Sequence, residues 1–397
     1  MPAITTLGRF CSLLLLLTAA CSPDNEPPAP VTSTSTFEKV IPLRSANVTA
    51  TDITELYGGT LFVLGQVSGP NGAQAALLAR LTATGDTVWT RRYSLDPTTS
   101  QTSAFGYQIV PTIASTDDQI VLFGRMTTPS TGTQLVVQQI IVATGEIMWS
   151  TVIPSTNPYH TCKVVRTNAG GYMVVTTSNQ AHRFTLCRLS RTGAIEFTTT
   201  LPGDVPTSIC MVKSSSNFFA NTYGIAGVND PLGKQEPFLS EVTENGAVLW
   251  SEVQTGLHFS LNNTLVPLGY SGFALFSGPD PAGEQPIQLL RTDNNGRKIS
   301  SIVVAPDIKG FVNRIAVTPD NNLVMVGAQT EKTSTGTAYH PLVLRLSLAG
   351  VELSRQTKPT VSGTVASVFK TLYGELIFCS TEANRLVVRR TNPDLTQ

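Results

Sequence analysis

The sequence predicts an all-β protein: a seven-bladed β-propeller of four-stranded antiparallel blades, closed by pairing of an N-terminal strand with the last blade. Three observations predict this fold. A turn that ends in glycine recurs at intervals of about 50 residues. A polar turn followed by a short apolar run precedes the repeated glycine, which is typical of a hairpin. No stretch of the sequence shows a sustained helical period.

The turn that ends in glycine is the clearest repeat. Its six copies end at Gly85, Gly145, Gly193, Gly246, Gly296 and Gly350. Four positions later the first four copies carry an aromatic residue and the last two carry serine: Trp89, Trp149, Phe197, Trp250, Ser300 and Ser354. Glycine tolerates the left-handed backbone of a tight turn. We therefore interpret each copy as the hairpin between the third and fourth strands of a unit.

The polar turn lies between the first and second strands of each unit. Its copies begin near Gly58, Asp117, Gly170, Ser216, Ser271, Asn321 and Tyr373. The near-continuous apolar runs that follow these turns indicate strands covered on both faces. A single unit cannot bury both faces of its own sheet, whereas units stacked around an axis bury each other. The seven copies therefore predict seven blades.

The two ends of the repeat region complement each other. The last unit reaches Arg390–Asp394 and stops before a fourth strand, and the segment Phe37–Leu43 precedes the first unit without a partner. We predict that Phe37–Leu43 supplies the missing outer strand of the last blade. This pairing removes an open sheet edge.

Residues 1–20 have the features of a signal peptide. Arg9 gives a weak positive region, and the apolar run Phe10–Leu17 is too short to span a bilayer. An ordinary signal peptide cleaved after Ala20, with Cys21 incidental, is one interpretation. Small residues directly before Cys21 resemble the lipobox of bacterial lipoproteins, which is the other.

The lipobox resemblance implies that Cys21 is lipidated and becomes the first residue. Thr18 departs from the family, which usually has an aliphatic residue at that position. Ser22 follows the cysteine, and within the family this implies the outer membrane, on its periplasmic or cell-surface side. Residues 21–36 are rich in proline, serine and threonine and predict an extended tether. The predicted domains are therefore the signal peptide (1–20), the tether (21–36) and the propeller (37–397).

Charge argues against two classes of partner. Lysine plus arginine and aspartate plus glutamate are equal at 27 each, and no basic run occurs. A nucleic-acid binder needs a basic surface to neutralise phosphates, and an electrostatic membrane-surface helix needs basic residues as well. We therefore expect no nucleic-acid partner and contact with the membrane through the lipid only.

The spacing from Thr84-Gly85 to Trp89 and from Thr144-Gly145 to Trp149 resembles the quinoprotein-type repeat, and the copy that ends at Trp250 is similar. The resemblance implies that each tryptophan docks between neighbouring blades. That family includes quinone-cofactor dehydrogenases and non-enzymatic lipoproteins. The fold alone does not choose between them.

Four cysteines follow the tether: Cys162, Cys187, Cys210 and Cys379. An exported protein meets a disulfide-permissive compartment, and four thiols allow three pairings. All four lie in apolar strand contexts, which favours buried free thiols. A bond between Cys162 and Cys187 is the disulfide that we would expect if one forms.

The histidines suggest no metal site. They are His160, His182, His258 and His340, and no two have a metal-binding spacing. Tyr159-His160 and Tyr339-His340 both lie in predicted loops. They are the candidate ligand residues if these loops share one face, and ordinary exposed loop residues otherwise.

The connections between second and third strands vary in length, as in Gly224–Pro237 and Ala328–Pro341. In a propeller they emerge on the same face as the connections between blades. Variable loops on a rigid scaffold commonly carry function. We therefore predict a ligand or partner on this face, near the axis.

No catalytic, cofactor-binding or metal-ligating residues can be nominated. Ser367 and Lys370 have the spacing of a serine acylase pair, but on a strand they lie on opposite faces. We predict a monomeric, non-catalytic binding or scaffolding lipoprotein without a cofactor, whose partner is an envelope protein or a glycan. The alternative is a glycan-active or quinone-dependent propeller enzyme.

Overall fold

The computed structural model describes residues 36–43, 47–68, 74–93, 103–112, 119–128, 132–153, 162–178, 180, 182–213, 221–229, 235–255, 257, 264–268, 272–277, 286–334, 336–371 and 373–396. The predicted signal peptide, the predicted lipidation site Cys21 and the candidate residues Tyr159 and His160 lie outside these ranges. Within them, no helix is long and apolar enough to cross a membrane.

The described chain is built from antiparallel sheets, most of them with four strands in sequential order. After β1 (Phe37–Val40), the first sheet contains β2 (Val48–Glu55), β3 (Leu61–Ser68), β4 (Gln74–Leu81) and β5 (Thr87–Tyr93). The second contains β6 (Ser103–Pro111), β7 (Gln119–Thr128), β8 (Gly132–Ile141) and β9 (Ile147–Ile153). The third contains β10 (Cys162–Arg166), β11 (Tyr172–Thr177), β12 (Arg183–Leu189) and β13 (Ile195–Pro202). The fourth contains β14 (Val205–Lys213), β15 (Asn221–Asn229), β16 (Glu236–Thr243) and β17 (Val248–Val253).

The next sheet has seven strands, which differs from the predicted four. Its strands are β18 (Thr264–Pro267), β19 (Phe273–Ser277), β20 (Pro286–Thr292), β21 (Lys298–Val317), β22 (Leu323–Thr333), β23 (Gly336–Leu346) and β24 (Glu352–Thr357). The physical reason is the short connection inside β21. This strand has 20 residues, and it pairs with β20 over its first part and with β22 from Gly310 onward. The extended backbone therefore runs unbroken from one four-stranded unit into the next.

The last sheet joins the two ends of the described chain. It contains β25 (Gly363–Lys370), β26 (Leu376–Glu382) and β27 (Arg385–Thr391), and its fourth strand is β1. β1 pairs antiparallel with β27, and Phe37 lies opposite Arg390.

The hydrophobic core lies between successive sheets. One cluster joins Phe62 and Leu64 of the first sheet to Ile109 and Ile120 of the second. An equivalent cluster joins the second sheet to the third, and another joins the first sheet to β26 and β27 of the last. The second strands are buried over most of their length, whereas the fourth strands are largely exposed. Each sheet therefore stands with one edge inside the molecule and the opposite edge at the rim.

In most outer strands an aromatic side chain packs on the turn glycine of the following unit. A Cβ placed on Gly193 would lie 2.3 Å from the Trp149 ring, and one on Gly296 would lie 2.2 Å from Trp250. Trp89 packs in the same way on Gly145 and donates a hydrogen bond of 3.2 Å to the Val142 carbonyl. The tryptophans thus dock between neighbouring sheets, as the repeat resemblance implies.

The two serine copies are compensated differently. Where Ser300 replaces the aromatic residue, Ile302 packs against Gly350 of the next turn. Where Ser354 replaces it, the glycine of the next turn is itself replaced by Leu395, which has a positive φ of 72°. The Leu395 side chain is 3% exposed and packs on the preceding unit. The gap is therefore filled from the turn side at this junction.

Candidate functional site

The candidate site lies where the first strands of the units converge. These inner strands are β2, β6, β10, β14, β18, the second part of β21 and β25, and all contribute to one axial cavity of about 370 Å³. The cavity extends from the middle of the inner strands toward their carboxyl ends, because its lining includes Pro111, Arg166, Met211 and Pro267. It therefore occupies the half of the axis next to the short polar turns.

Every inner strand places a polar residue at the same register position, defined by its partner on the second strand. We call this set the polar ring: Asp52, Gln108, Lys163, Ser208, Thr264, Arg314 and Ser367. The next position on each strand is apolar throughout: Ile53, Ile109, Val164, Ile209, Leu265, Ile315 and Val368. Because neighbouring residues on a strand point to opposite faces, the polar ring and this apolar set face different sheets.

A β-bulge positions the polar ring in five of the inner strands. The register shifts directly before Asp52, Gln108, Ser208, Arg314 and Ser367. A bulge adds one residue and redirects the side chain that follows it. The second strand carries a glycine beside four of these bulges, and a Cβ on Gly124 would lie 2.6 Å from the Phe105 carbonyl oxygen. This glycine is required because the bulged backbone comes too close for a side chain.

Most members of the polar ring join adjacent inner strands. Asp52 Oδ2 accepts a hydrogen bond of 3.1 Å from the Ile109 amide. Gln108 accepts a hydrogen bond from the Val164 amide at 3.1 Å and donates one to the Val164 carbonyl at 2.9 Å. Ser208 Oγ accepts one from the Leu265 amide at 3.1 Å. Buried polar groups stabilise a structure when they are paired in this way.

The ring also carries the contact between the last and first sheets. Ser367 Oγ donates a hydrogen bond of 2.8 Å to Asp52 Oδ1. Arg314 places a guanidinium nitrogen 3.8 Å from the same carboxylate oxygen. Asp52 is 2% exposed, so its charge is held by these partners in a site with little water.

Lys163 differs from the rest of the ring. Its amine has no ion pair and no side-chain hydrogen bond to any residue that the structure describes, although it lines the cavity. Burial lowers the pKa of Lys163, and the charge of Arg314 lowers it further. The charge of Asp52 acts in the opposite direction and raises the pKa of Lys163. The Asp52 carboxylate itself contacts Ser367 and Arg314.

The predicted ligand residues Tyr339 and His340 do not lie in a loop. Both belong to β23, where the predicted connection Ala328–Pro341 is instead a long paired hairpin that continues to Thr333 and Gly336. His340 is 9% exposed, and its ring nitrogens contact the Val361 carbonyl at 3.1 Å and Glu331 at 3.2 Å. Their placement in an exposed loop was therefore wrong. Thr330, Thr333 and Thr337 favour this extended hairpin, because threonine is enriched in β-strands.

The other predicted loop, Gly224–Pro237, is also shorter than expected, because β15 extends to Asn229 and β16 begins at Glu236. His182 is an exposed side chain that contacts Asp204 at 3.1 Å. Within the ranges that the structure describes, no group of three histidine, cysteine, aspartate or glutamate residues could hold a metal ion.

The four thiols are free, as the apolar strand contexts favour, and the alternative Cys162–Cys187 disulfide is not formed. β11 separates the two strands that carry these cysteines. Two strand spacings put the α-carbons about 9 to 10 Å apart, which is beyond the reach of a disulfide. Cys162, Cys187, Cys210 and Cys379 are free thiols. Burial raises the pKa of Cys162 to about 12 and that of Cys187 to about 11.

Radially arranged four-stranded sheets around a polar axial cavity define the class of β-propellers, and the comparisons with solved structures support this fold. A catalytically inactive variant of virginiamycin B lyase from Staphylococcus aureus, solved with quinupristin, matches 90% of this chain and 100% of its own at 12% identity and a TM-score of 0.53. Sqt1 from Saccharomyces cerevisiae matches 90% of this chain and 98% of its own at 10% identity and a TM-score of 0.50. At these identities the likeness concerns the fold alone. No family model and no curated protein matches the sequence.

Sequence reasoning missed the polar ring. Its members have no common residue type, so they cannot be recognised one by one. A signal was present, because an apolar run that ends in glycine recurs at Gly65, Gly124, Gly227 and Gly327. A glycine inside a strand marks a bulge or a close backbone approach. Counting back from these glycines to the first strand would have aligned four members of the ring.

Proposed function

We propose that the described sheets form one closed ring of seven blades. The support is that the junction between the last and first sheets repeats the internal junctions. Phe37 packs on Gly85 as Phe197 packs on Gly246. Arg390 donates to the Ala83 carbonyl at 2.9 Å, and Arg188 donates to the equivalent Glu244 carbonyl at 3.4 Å. In this proposal β21 contributes the outer strand of the fifth blade and the inner strand of the sixth.

The recurrent docking of Trp89, Trp149 and Trp250 on the next blade favours a relation to the quinoprotein-type repeat. We place this chain among the non-enzymatic members of that group. Its proposed role is to bind or scaffold another component of the bacterial envelope, a protein or a glycan, as a monomer.

One observation carries the choice of binding over catalysis. Asp52 is the only carboxylate among the described residues that line the axial cavity. Each of its oxygens accepts one hydrogen bond, from the Ser367 hydroxyl or the Ile109 amide, and Arg314 lies 3.8 Å away. A general acid or base must exchange protons with a substrate. A carboxylate held between two blades is instead suited to fixing the ring.

The enzyme alternative has support from the fold, because virginiamycin B lyase is an enzyme with a similar fold. A quinone-dependent or glycan-active propeller would carry its cofactor or substrate on the axis. An absorbance spectrum of the protein purified from its native host distinguishes the two. A bound quinone would overturn the binding proposal.

The anchoring proposal rests on the sequence around Cys21. In this proposal the cysteine is lipidated and holds the propeller at the outer membrane through the tether. We expect a radiolabelled fatty acid to enter the full chain and not the Cys21→Ala variant. Labelling of Cys21→Ala at the level of the native chain would contradict the anchor.

The partner is tested at the long β22–β23 hairpin, which projects from the face of the predicted variable loops. Replacing residues 331–338 by Asn-Gly joins Thr330 to Tyr339 by a two-residue turn and keeps their pairing. A photo-crosslinking residue at Lys332 of the full chain should capture one envelope component reproducibly. Binding of that component to the purified shortened variant should be lost, while the same shortening between β7 and β8 should leave it intact. Equal binding by both variants would move the interface elsewhere.

A further inference from the structure

The axial cavity has an excess of positive charge. Its charged lining residues are Lys163, Arg166, Arg314 and Asp52, three cations and one anion. Arg166 donates a hydrogen bond of 3.4 Å to the Thr112 carbonyl. This partner is neutral, so the contact does not compensate the charge of Arg166. Asp52 balances Arg314. The charge of Lys163 is therefore left over, in a place where burial already disfavours it.

Lys163 is half-buried in the cavity lining, so its amine loses part of its hydration and gains no ion pair in return. The fold does not require a lysine at this register position, since Ser208 and Thr264 occupy the same position on their strands with small uncharged side chains. Lysine also offers three hydrogen-bond donors on a flexible stem, and arginine presents a planar fork to carboxylate or phosphate. The pair Lys163 and Arg314 therefore has the chemistry of an anion-binding site.

The cavity is large enough for a small ligand. Its volume of about 370 Å³ is at the lower end of the range typical of small-molecule pockets. The lining positions that follow toward the carboxyl ends of the inner strands are mainly apolar, as in Val110, Val165 and Val266. Polar groups at one depth with apolar walls beside them fix the orientation of a bound molecule.

We propose that the axial cavity binds a small carboxylate- or phosphate-bearing anion, whose charged group lies between Lys163 and Arg314. The anion supplies the counter-charge that Lys163 lacks. The binding site deepens the proposed binding function but does not depend on the envelope partner, which is tested at a different surface.

The test is calorimetric titration of the full chain in detergent at low ionic strength, with succinate and inorganic phosphate as separate probes. We expect one-to-one binding of at least one probe, and the one that binds identifies the anion class. Putrescine and glycerol, a cation and a neutral molecule, should give no binding. If neither anion binds, the proposal is wrong, while capture at the β22–β23 hairpin would still stand.

Substitution locates the site. Lys163→Met should weaken the binding of the effective anion by about ten- to a hundred-fold, the loss expected for a charge-assisted hydrogen bond. Lys163→Arg should keep most of it. Lys298→Met removes an exposed lysine outside the cavity lining and should bind as the native chain does. Native affinity in Lys163→Met would overturn the assignment.

Thermal unfolding distinguishes a loss of anion binding at the site from a loss caused by misfolding of the variant. Lys163→Met removes a half-buried charge that has no ion pair, so the variant should fold with a melting temperature no lower than that of the native chain. The effective anion should raise the melting temperature of the native chain and leave that of Lys163→Met unchanged, because only a ligand of the folded state stabilises it. An equal rise in both proteins would place the anion at another site.

Discussion

The turn glycines show that the absence of a Cβ atom allows close packing between two neighbouring sheets. Gly193 has a φ of 80°, and a Cβ there would lie 2.3 Å from the Trp149 ring. Two requirements coincide, since the backbone is left-handed and the aromatic residue of the preceding unit covers the turn. A side chain would strain the backbone and push the ring away. Gly132 meets only the first requirement, because its φ is 69° and nothing lies within 4 Å of its Cβ position.

This contrast gives a matched pair of substitutions. Gly132→Ala should cost about 1 to 2 kcal/mol of unfolding free energy, from backbone strain alone. Gly193→Ala should cost a further ~1 to 3 kcal/mol, because the Trp149 ring must also move. Urea unfolding followed by circular dichroism measures both. Equal costs would show that the contact between the turn and the ring contributes nothing.

The thiols make a second prediction at this scale. Burial raises the pKa of Cys162, Cys187 and Cys210 to about 11 or 12, and that of Cys379 well above its ordinary value. At neutral pH these groups are protonated, and a thiol reacts as its thiolate. Iodoacetamide should therefore label none of the four in the native protein and all four in guanidinium, as read by peptide mass spectrometry. Rapid native labelling of Cys162 or Cys379 would contradict their burial.

At the scale of the element, the outer strands are built to fit the next turn, and β1 is one of them. Phe37 on β1 packs on Gly85, and Phe197 on β13 packs on Gly246. The two contacts have the same aromatic residue, and both rings are half-buried. They differ only in that one joins distant parts of the chain.

Phe37→Ala and Phe197→Ala should therefore destabilise the protein by similar amounts, about 1.5 to 3 kcal/mol each, the value of one large apolar side chain. Tryptophan fluorescence during urea unfolding measures the change. If Phe197→Ala destabilises and Phe37→Ala does not, then β1 is not a structural strand in solution and the closed ring is excluded.

The elements also show what the sequence can predict. The repeated glycine and its following aromatic residue located the hairpins, because both are local requirements of one turn. The sequence analysis did not predict that β21 is continuous, since the residues at 305–309 do not distinguish an extended chain from a turn. The polar ring was missed because its members are neighbours only in three dimensions. Asp52 and Ser367 are 315 positions apart.

At the scale of the whole molecule, the described chain begins and ends at adjacent strands of one sheet. Trp89 follows its cross-strand partner Arg80 by nine positions through a turn that contains Gly85. Phe37 lies opposite Arg390 in the same way, and the turn that follows Arg390 has the hydrogen bonds of the Gly85 turn. If Gln397 were joined directly to Thr36, Phe37 would also follow Arg390 by nine positions. No linker is needed to restore the spacing of an internal hairpin.

A circular permutant uses this coincidence. Its chain begins at Asn295, passes from Gln397 directly to Thr36, and ends at Asn294, so that the new termini lie in an exposed turn of the same kind as the one just closed. Such turns tolerate new termini because few contacts cross them. We expect the permutant to fold with the circular dichroism spectrum of the parent chain and a similar urea midpoint, because each blade keeps four strands and both neighbours.

A second permutant that also lacks residues 37–40 leaves the edge of β27 open, and it should lose stability or aggregate. If the two permutants behave alike, β1 contributes nothing to the last sheet. If the direct junction fails and a long flexible linker restores folding, the two ends do not meet at the spacing of a hairpin, and the ring is not closed through that turn.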